Sequence, residues 1–279
     1  MKEATKVKIL LVFIGCGLRL FFTETASAQP HSMELENKYA HFSECLQYIF
    51  TEADIISENE GKKEEIDWLT SQNYNCEHSS PITRRIAVKY LEWGDTAYGD
   101  EGNEEDVDKK MLFKDGLKWA KNALRQDSTD HLNYEVMSMA YAATITVSGL
   151  KRKAQLADSV RIYAEECVRI NPKNDRAYHI LGRWHYEVSK LGRFIKFLSK
   201  VIFREPQDGS FEKAVEYFDK ALALDDIPVH RYWLGMAYLE TGDEAEALRQ
   251  FHILVNLQEV MHNDAFFKVK AKELIEEYE

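Results

Sequence analysis

One recurring signature constrains this chain more than any other. Tyr178, Leu181-Gly182 and His185 fall at helical spacing, and so do Leu234-Gly235 and Tyr238. Each set is answered downstream by a small residue with an aromatic four positions later. These are Ala214 with Phe218, followed by Ala221, and Ala247 with Phe251. Small residues let two helices approach closely, and a large ring fills the gap between them. Earlier in the chain Tyr134, Met137 and Tyr141 precede Val160, Ala164 and Cys167, closing at Asn171-Pro172. A more degenerate second helix carries Gly116, Ala120 and Ala123. Such helix pairs bury little alone and stack into a continuous core.

This is the tetratricopeptide pattern, and it predicts an all-α, tetratricopeptide-like α-solenoid. Met137 to Leu181 spans 44 residues and Leu181 to Leu234 spans 53, against a usual period of about 34. Helices are therefore expected to be inserted inside the repeats. Composition agrees with a packed helical chain. Of 279 residues, 45% are hydrophobic, with only 5 Pro and 13 Gly. That excludes disorder and argues against a turn-rich β fold. The net charge of −11 argues against a broad nucleic-acid surface.

The amino terminus reads as a leader. Lys2, Lys6 and Lys8 precede the apolar stretch Ile9 to Phe22, and Ala26-Ser27-Ala28 has the small residues of a cleavage site. The expectation is a cleaved signal peptide over 1–28, with export to the periplasm or cell envelope. An uncleaved anchor and a lipidated Cys16 are the alternatives. Residues 1–28 carry four basic and two acidic side chains, so their removal leaves 251 residues at −13. Three cysteines remain, Cys45, Cys76 and Cys167, with no C-x-x-C pair. Buried free thiols are the expectation, and a Cys45–Cys76 bridge is the alternative in an oxidising compartment.

An N-terminal helical segment is expected over 29–80. Leu35, Tyr39, Phe42, Leu46, Ile49, Ala53 and Ile56 form one apolar face from Glu34 to Glu58, ended by Gly61. A short helix from Glu64 to Leu69 and a polar loop from Ser71 to Ser80 follow. The repeat domain is expected over 81–279. It opens with a helix from Thr83 to Tyr98. The acidic stretch Asp100 to Asp108 has the wrong spacing for an EF-hand and reads as a solvated loop. The domain closes with a capping helix from Ala265 to Tyr278, whose inner face carries Phe267, Ala271, Leu274 and Tyr278.

Two features carry functional expectations. Counting from the Leu-Gly pairs, first-helix positions facing a concave groove are Arg176, His179, Arg183 and Tyr186, then Tyr232, Met236 and Leu239. In the earlier unit they include Leu132, Glu135 and Met139. Arginines grip carboxylates, and aromatic and Met side chains hold apolar segments. A protein, peptide or other acidic ligand is the expected partner. The second feature is the insert from Lys190 to Arg204. Its five basic residues Lys190, Arg193, Lys196, Lys200 and Arg204 include no acid between them, and Leu191, Phe194, Ile195, Leu198, Val201 and Ile202 share a face. Packing of that face on the repeat core is the reading taken. Contact with an anionic lipid surface is the alternative. No motif for a nucleotide, a zinc protease or a hydrolase nucleophile occurs. No catalytic residue, metal ligand or cofactor is assigned, and a non-enzymatic scaffold is the expected role.

The order Asn171-Pro172-Lys173, then His179-Ile180-Leu181-Gly182-Arg183-Trp184-His185-Tyr186, resembles the regulator of microtubule dynamics family. So does the insert closing Ile202-Phe203-Arg204-Glu205-Pro206 ahead of Phe211-Glu212-Lys213-Ala214-Val215-Glu216-Tyr217-Phe218. Thr83-Arg84-Arg85-Ile86-Ala87 is similar to the family's Trp-Arg-Leu-Ala segment, with Thr in place of Trp. The resemblance runs from about Ile82 to Glu279. Gln207 stands where the family has a second proline. The resemblance implies the fold and a binding role. The export signal identifies a bacterial-type exported member, so the tubulin partner is not carried over.

Overall fold

The computed structural model describes residues 38–96, 108–190, 209–259 and 263–279, without the side chains of Leu150 and Ala154. Among the described residues there are eleven α-helices and no strand. They are α1 (Glu44–Asn59), α2 (Lys62–Gln72), α3 (Ser80–Thr96), α4 (Lys109–Gln126), α5 (His131–Thr146), α6 (Leu150–Ile170), α7 (Asp175–Lys190), α8 (Phe211–Leu224), α9 (Pro228–Thr241), α10 (Glu244–Asn256) and α11 (Asp264–Tyr278). Local chemistry sets many of their ends. Side chains of Asp108, Asp130, Ser210 and Asp243 accept backbone N–H bonds at the starts of α4, α5, α8 and α10. Pro228 opens α9, and Gly242 closes it at φ 86°. No described helix is long and apolar enough to cross a membrane.

The described residues fall into two compact units, one ending at Val147 and one starting at Ser148. In the second unit each helix from α6 to α11 packs on the next. The repeat signature explains how. A Cβ placed on Gly182 would sit 2.7 Å from Cδ1 of Phe218, and one on Gly235 would sit 2.5 Å from Cε1 of Phe251. Both rings are fully buried. Each first helix thus presents bare backbone to a ring from its second helix. Gly94 of α3 meets Phe113 of α4 in the same way in the first unit. There the ring precedes Gly116 by three residues, out of register with the later repeats.

The first unit has its own core. Tyr39, Leu46, Ile49, Phe50, Ala53, Ile66, Leu69, Ile82 and Ile86 are buried together, with Trp68, Tyr90, Trp93 and Trp119 packed against them. Helices α1 and α2 therefore share a core with α3. Within the expected run from Glu34, Tyr39 and Phe42 belong to a turn that precedes α1, and residues 34–37 lie outside the described residues. The α1–α2 hairpin brings the start of α1 beside the end of α2, and Cys45 and Cys76 form a disulfide with Cα atoms 5.9 Å apart. This corrects the free-thiol expectation for that pair; Cys167 alone is a buried free thiol among the described cysteines. The acidic stretch 100–107 and insert residues Arg193, Lys196, Lys200 and Arg204 lie outside the described residues. In α11, Phe267 and Ala271 are buried as expected, but Leu274 is half-buried and Tyr278 exposed.

A buried ionic cluster locks α3 to the hairpin. Arg85 donates to Asp54 at 2.6 Å, to Glu65 at 2.5 and 2.7 Å, and to the Tyr39 hydroxyl at 2.8 Å. Lys89 pairs with Glu65 at 3.4 Å and Glu92 at 3.2 Å. Glu65 and Lys89 are buried. Burial opposes ionisation of Asp54, but Arg85 and Lys38 beside it outweigh that and hold its carboxyl below the ordinary range.

Gly182→Ala or Gly235→Ala should lower unfolding free energy by about 1–3 kcal/mol through overpacking, read by urea denaturation. Phe218→Leu added to Gly182→Ala should cost less than the sum of the two single changes. Arg85→Ala removes the cation shared by Asp54 and Glu65, leaving them only Lys38 and Lys89, and should cost about 3 kcal/mol. A cost below about 1 kcal/mol would mean that water enters the cluster.

Candidate interaction site

The expected groove positions lie on α5, α7 and α9. Helix α7 is packed by α6, α8 and α9, so a continuous run from His179 to Tyr186 is buried. The structure joins Arg183, Tyr186 and Tyr232 through a residue that the repeat count passed over, Trp233. The Arg183 guanidinium lies over the Trp233 ring at 3.5 Å, and its Nη2 donates to Glu187 Oε1 at 2.9 Å. Burial pulls the Arg183 pKa down, while Glu187 supports its charge. The Tyr186 ring meets Trp233 edge-on at 5.4 Å and Phe211 at 5.7 Å. Its hydroxyl accepts from Lys190 Nζ at 3.3 Å and donates to Glu240 Oε1 at 3.4 Å, and burial pushes its pKa up. Lys190 also pairs with Glu240 at 2.8 Å.

Further toward the start of α7, His179 Nδ1 lies 3.0 Å from His230 Nδ1, and His230 Nε2 lies 3.0 Å from Asp175 Oδ2. His185 turns to another face, stacking on Tyr217 at 5.4 Å, and burial pulls its pKa to about 4 with help from Lys213 and Arg161. Tyr232 is half-buried, with its ring 5.1 Å from Phe267 of α11 and 5.4 Å from Trp233.

This arrangement differs from an open groove lined by all the predicted residues. His179, Arg183 and Tyr186 are buried in the second unit, and Glu135 and Met139 are buried in the first. Their side chains serve the packing of their own unit, because neighbouring helices meet over the turns that carry them. Of the predicted set, Arg176 is exposed, and Tyr232, Met236 and Leu239 are partly exposed, as is Leu132. What remains accessible on α7 and α9 is one guanidinium and a strip of aromatic and aliphatic surface, backed by the fixed Arg183–Trp233 stack. Such a surface suits a polypeptide segment. Trp233 was visible in the sequence: it directly precedes Leu234-Gly235, at the place Ile180 holds in the preceding repeat. Among the described residues no group of three or more His, Cys, Asp or Glu could hold a metal ion.

Known proteins are similar to this chain in fold and in sequence. A thermophilic tetratricopeptide protein of Thermus thermophilus, TTC0263, superposes with a TM-score of 0.56 at 17% identity, covering 82% of this chain and 98% of that one. The fold is therefore tetratricopeptide-like. Regulator of microtubule dynamics protein 3 of Mus musculus is 24% identical over 256 residues, which is 89% of this chain and 53% of that protein. Regulator of microtubule dynamics protein 1 of Pongo abelii is 24% identical over 209 residues, 75% of this chain and 64% of that protein. The chain thus spans between about half and two thirds of these relatives' length. The model of the family described as regulator of microtubule dynamics protein 1-3 matches residues 49–279, which includes most of α1 and all of α2, ahead of the start at Ile82 read from motifs. That model covers well over half of the chain, so the chain belongs to the regulator of microtubule dynamics family.

Proposed function

We propose that this chain is an exported, non-enzymatic scaffold that binds a protein or peptide segment on the first-helix face formed by α7 and α9. The observation that carries this reading is the accessible strip of Arg176, Tyr232, Met236 and Leu239, held in place by the buried Arg183–Trp233 stack. A rigid platform with partly exposed aromatic and Met side chains loses little entropy when it takes up a partner. The tetratricopeptide-like fold supports a protein partner. The relatives' name refers to microtubules. For this chain we place the partner in an oxidising compartment, the periplasm or cell envelope. The Cys45–Cys76 bridge and the leader read over 1–28 support that placement. The lipid-surface alternative rests on insert residues outside the described ones; its first residue, Lys190, is engaged by Glu240.

Cross-linking in the native cell, followed by capture with wild type and with Arg176→Glu and Met236→Glu, tests the face. Both changes sit at accessible positions and should leave the circular dichroism spectrum intact while removing the specific partner. Unchanged recovery with both variants would discard the face as the site. The compartment has its own test. The mature chain, denatured without reductant, should release one thiol, from Cys167, and three thiols would contradict export to an oxidising compartment.

A further inference from the structure

His179 and His230 meet between consecutive first helices, with Asp175 bonded to the outer ring. The rings are 3% and 1% exposed for His179 and His230. We propose that this contact makes the seam between α7 and α9 sensitive to protons, firm near neutral pH and loosened in acid.

Two imidazole nitrogens 3.0 Å apart need one hydrogen between them, so one Nδ1 donates and the other must keep its lone pair. His230 Nε2 donates to Asp175 Oδ2. If His230 is neutral, its Nδ1 is the acceptor and His179 Nδ1 carries the hydrogen. If His230 is the cation, His179 accepts and stays neutral. In both arrangements one Nδ1 of the pair stays bare, so the intact contact cannot hold two imidazolium rings. The unfolded chain has no such restriction, and each ring takes up a proton near about pH 6.5. Below that pH the unfolded or locally opened state binds more protons, so stability falls as pH falls.

The surroundings reinforce this sign. Arg183 on α7 bears a positive charge toward His179. Burial first, then His230 and Arg183, hold the His179 pKa well below its ordinary value. Toward this ring α8 presents Phe218, at 5.3 Å; the α8 charges Lys213 and Glu216 act on His185. On α9, Arg231 is engaged by Asp226 and Gln250. The one carboxylate on the pair is Asp175, which touches the outer ring, with Arg176 beside it.

Amide hydrogen exchange of the full chain at pH 7.5 and 5.5, corrected for intrinsic rates, tests the proposal. In a His185→Asn chain, which removes the other buried imidazole of α7, peptides from α7 and α9 should lose about tenfold in protection, the effect of one excluded proton about one unit below pH 6.5. Peptides from α3 and α4 should not. Adding His179→Asn should abolish this loss, and adding His230→Asn should lessen it, because His179 then stays buried beside Arg183 without the second ring. Equal protection in wild type at both pH values, or an undiminished loss in both variants, overturns the proposal. Ring-nitrogen NMR of the wild type needs no variant. If His179 and His230 are both imidazolium while the chain remains folded, the shared-proton contact is absent and the proposal fails.

Discussion

The contact between a first-helix glycine and a second-helix phenylalanine sets the geometry of the repeats. At Gly182 and Gly235 there is no room for a Cβ, because Phe218 and Phe251 occupy that space. The ring is buried against backbone, and that fixes both the separation of the helix pair and its register. The surroundings of α7 and α9 follow from this. With α8 held close, α7 is surrounded, and polar side chains such as His179 and Arg183 must find partners inside. They do so on the next first helix, at His230 and Trp233. The energy of those polar contacts is secondary, since neutral hydrogen bonds contribute about 1 kcal/mol each. Their role is to fix how consecutive repeats meet.

The first unit solves the same packing problem by different means. Gly94 and Phe113 keep one close approach between α3 and α4. The α1–α2 hairpin adds a covalent bridge and a buried cluster of opposite charges around Arg85. Closing a loop over a sequence separation of 31 residues removes unfolded-state freedom equivalent to about 4 kcal/mol. The bridge encloses both Asp54 and Glu65, so it also limits how far the two acids can stray from Arg85. A cluster of this kind orients the hairpin even where its net contribution to stability is small.

Much of this was readable in the residues. Helical periodicity and the Leu-Gly, Ala and Phe signatures report on one helix and its immediate neighbour, and they located α7 to α11 correctly. What escaped depends on non-local partners. Gly94 and Phe113 were missed because the ring sits three residues before Gly116 instead of following it. Arg85 and Lys89 carried no expectation of an ionic cluster, since only the folded hairpin reveals Asp54 and Glu65 opposite them. The groove positions were counted along each helix from its Leu-Gly pair. Numbering does not say which turns a neighbouring helix covers, so Arg183 and Tyr186 were expected at a surface and are found inside.

The family relationship and the fold describe a tetratricopeptide-like repeat protein whose first-helix faces depend on helices held at close range. That dependence rests on the glycine–phenylalanine contact. A nuclear Overhauser measurement on the folded chain addresses it directly. Cross-peaks are expected from the Gly182 Hα protons to the Phe218 ring and from Gly235 Hα to the Phe251 ring. Absence of both, in a chain whose other core cross-peaks are present, would contradict the close approach.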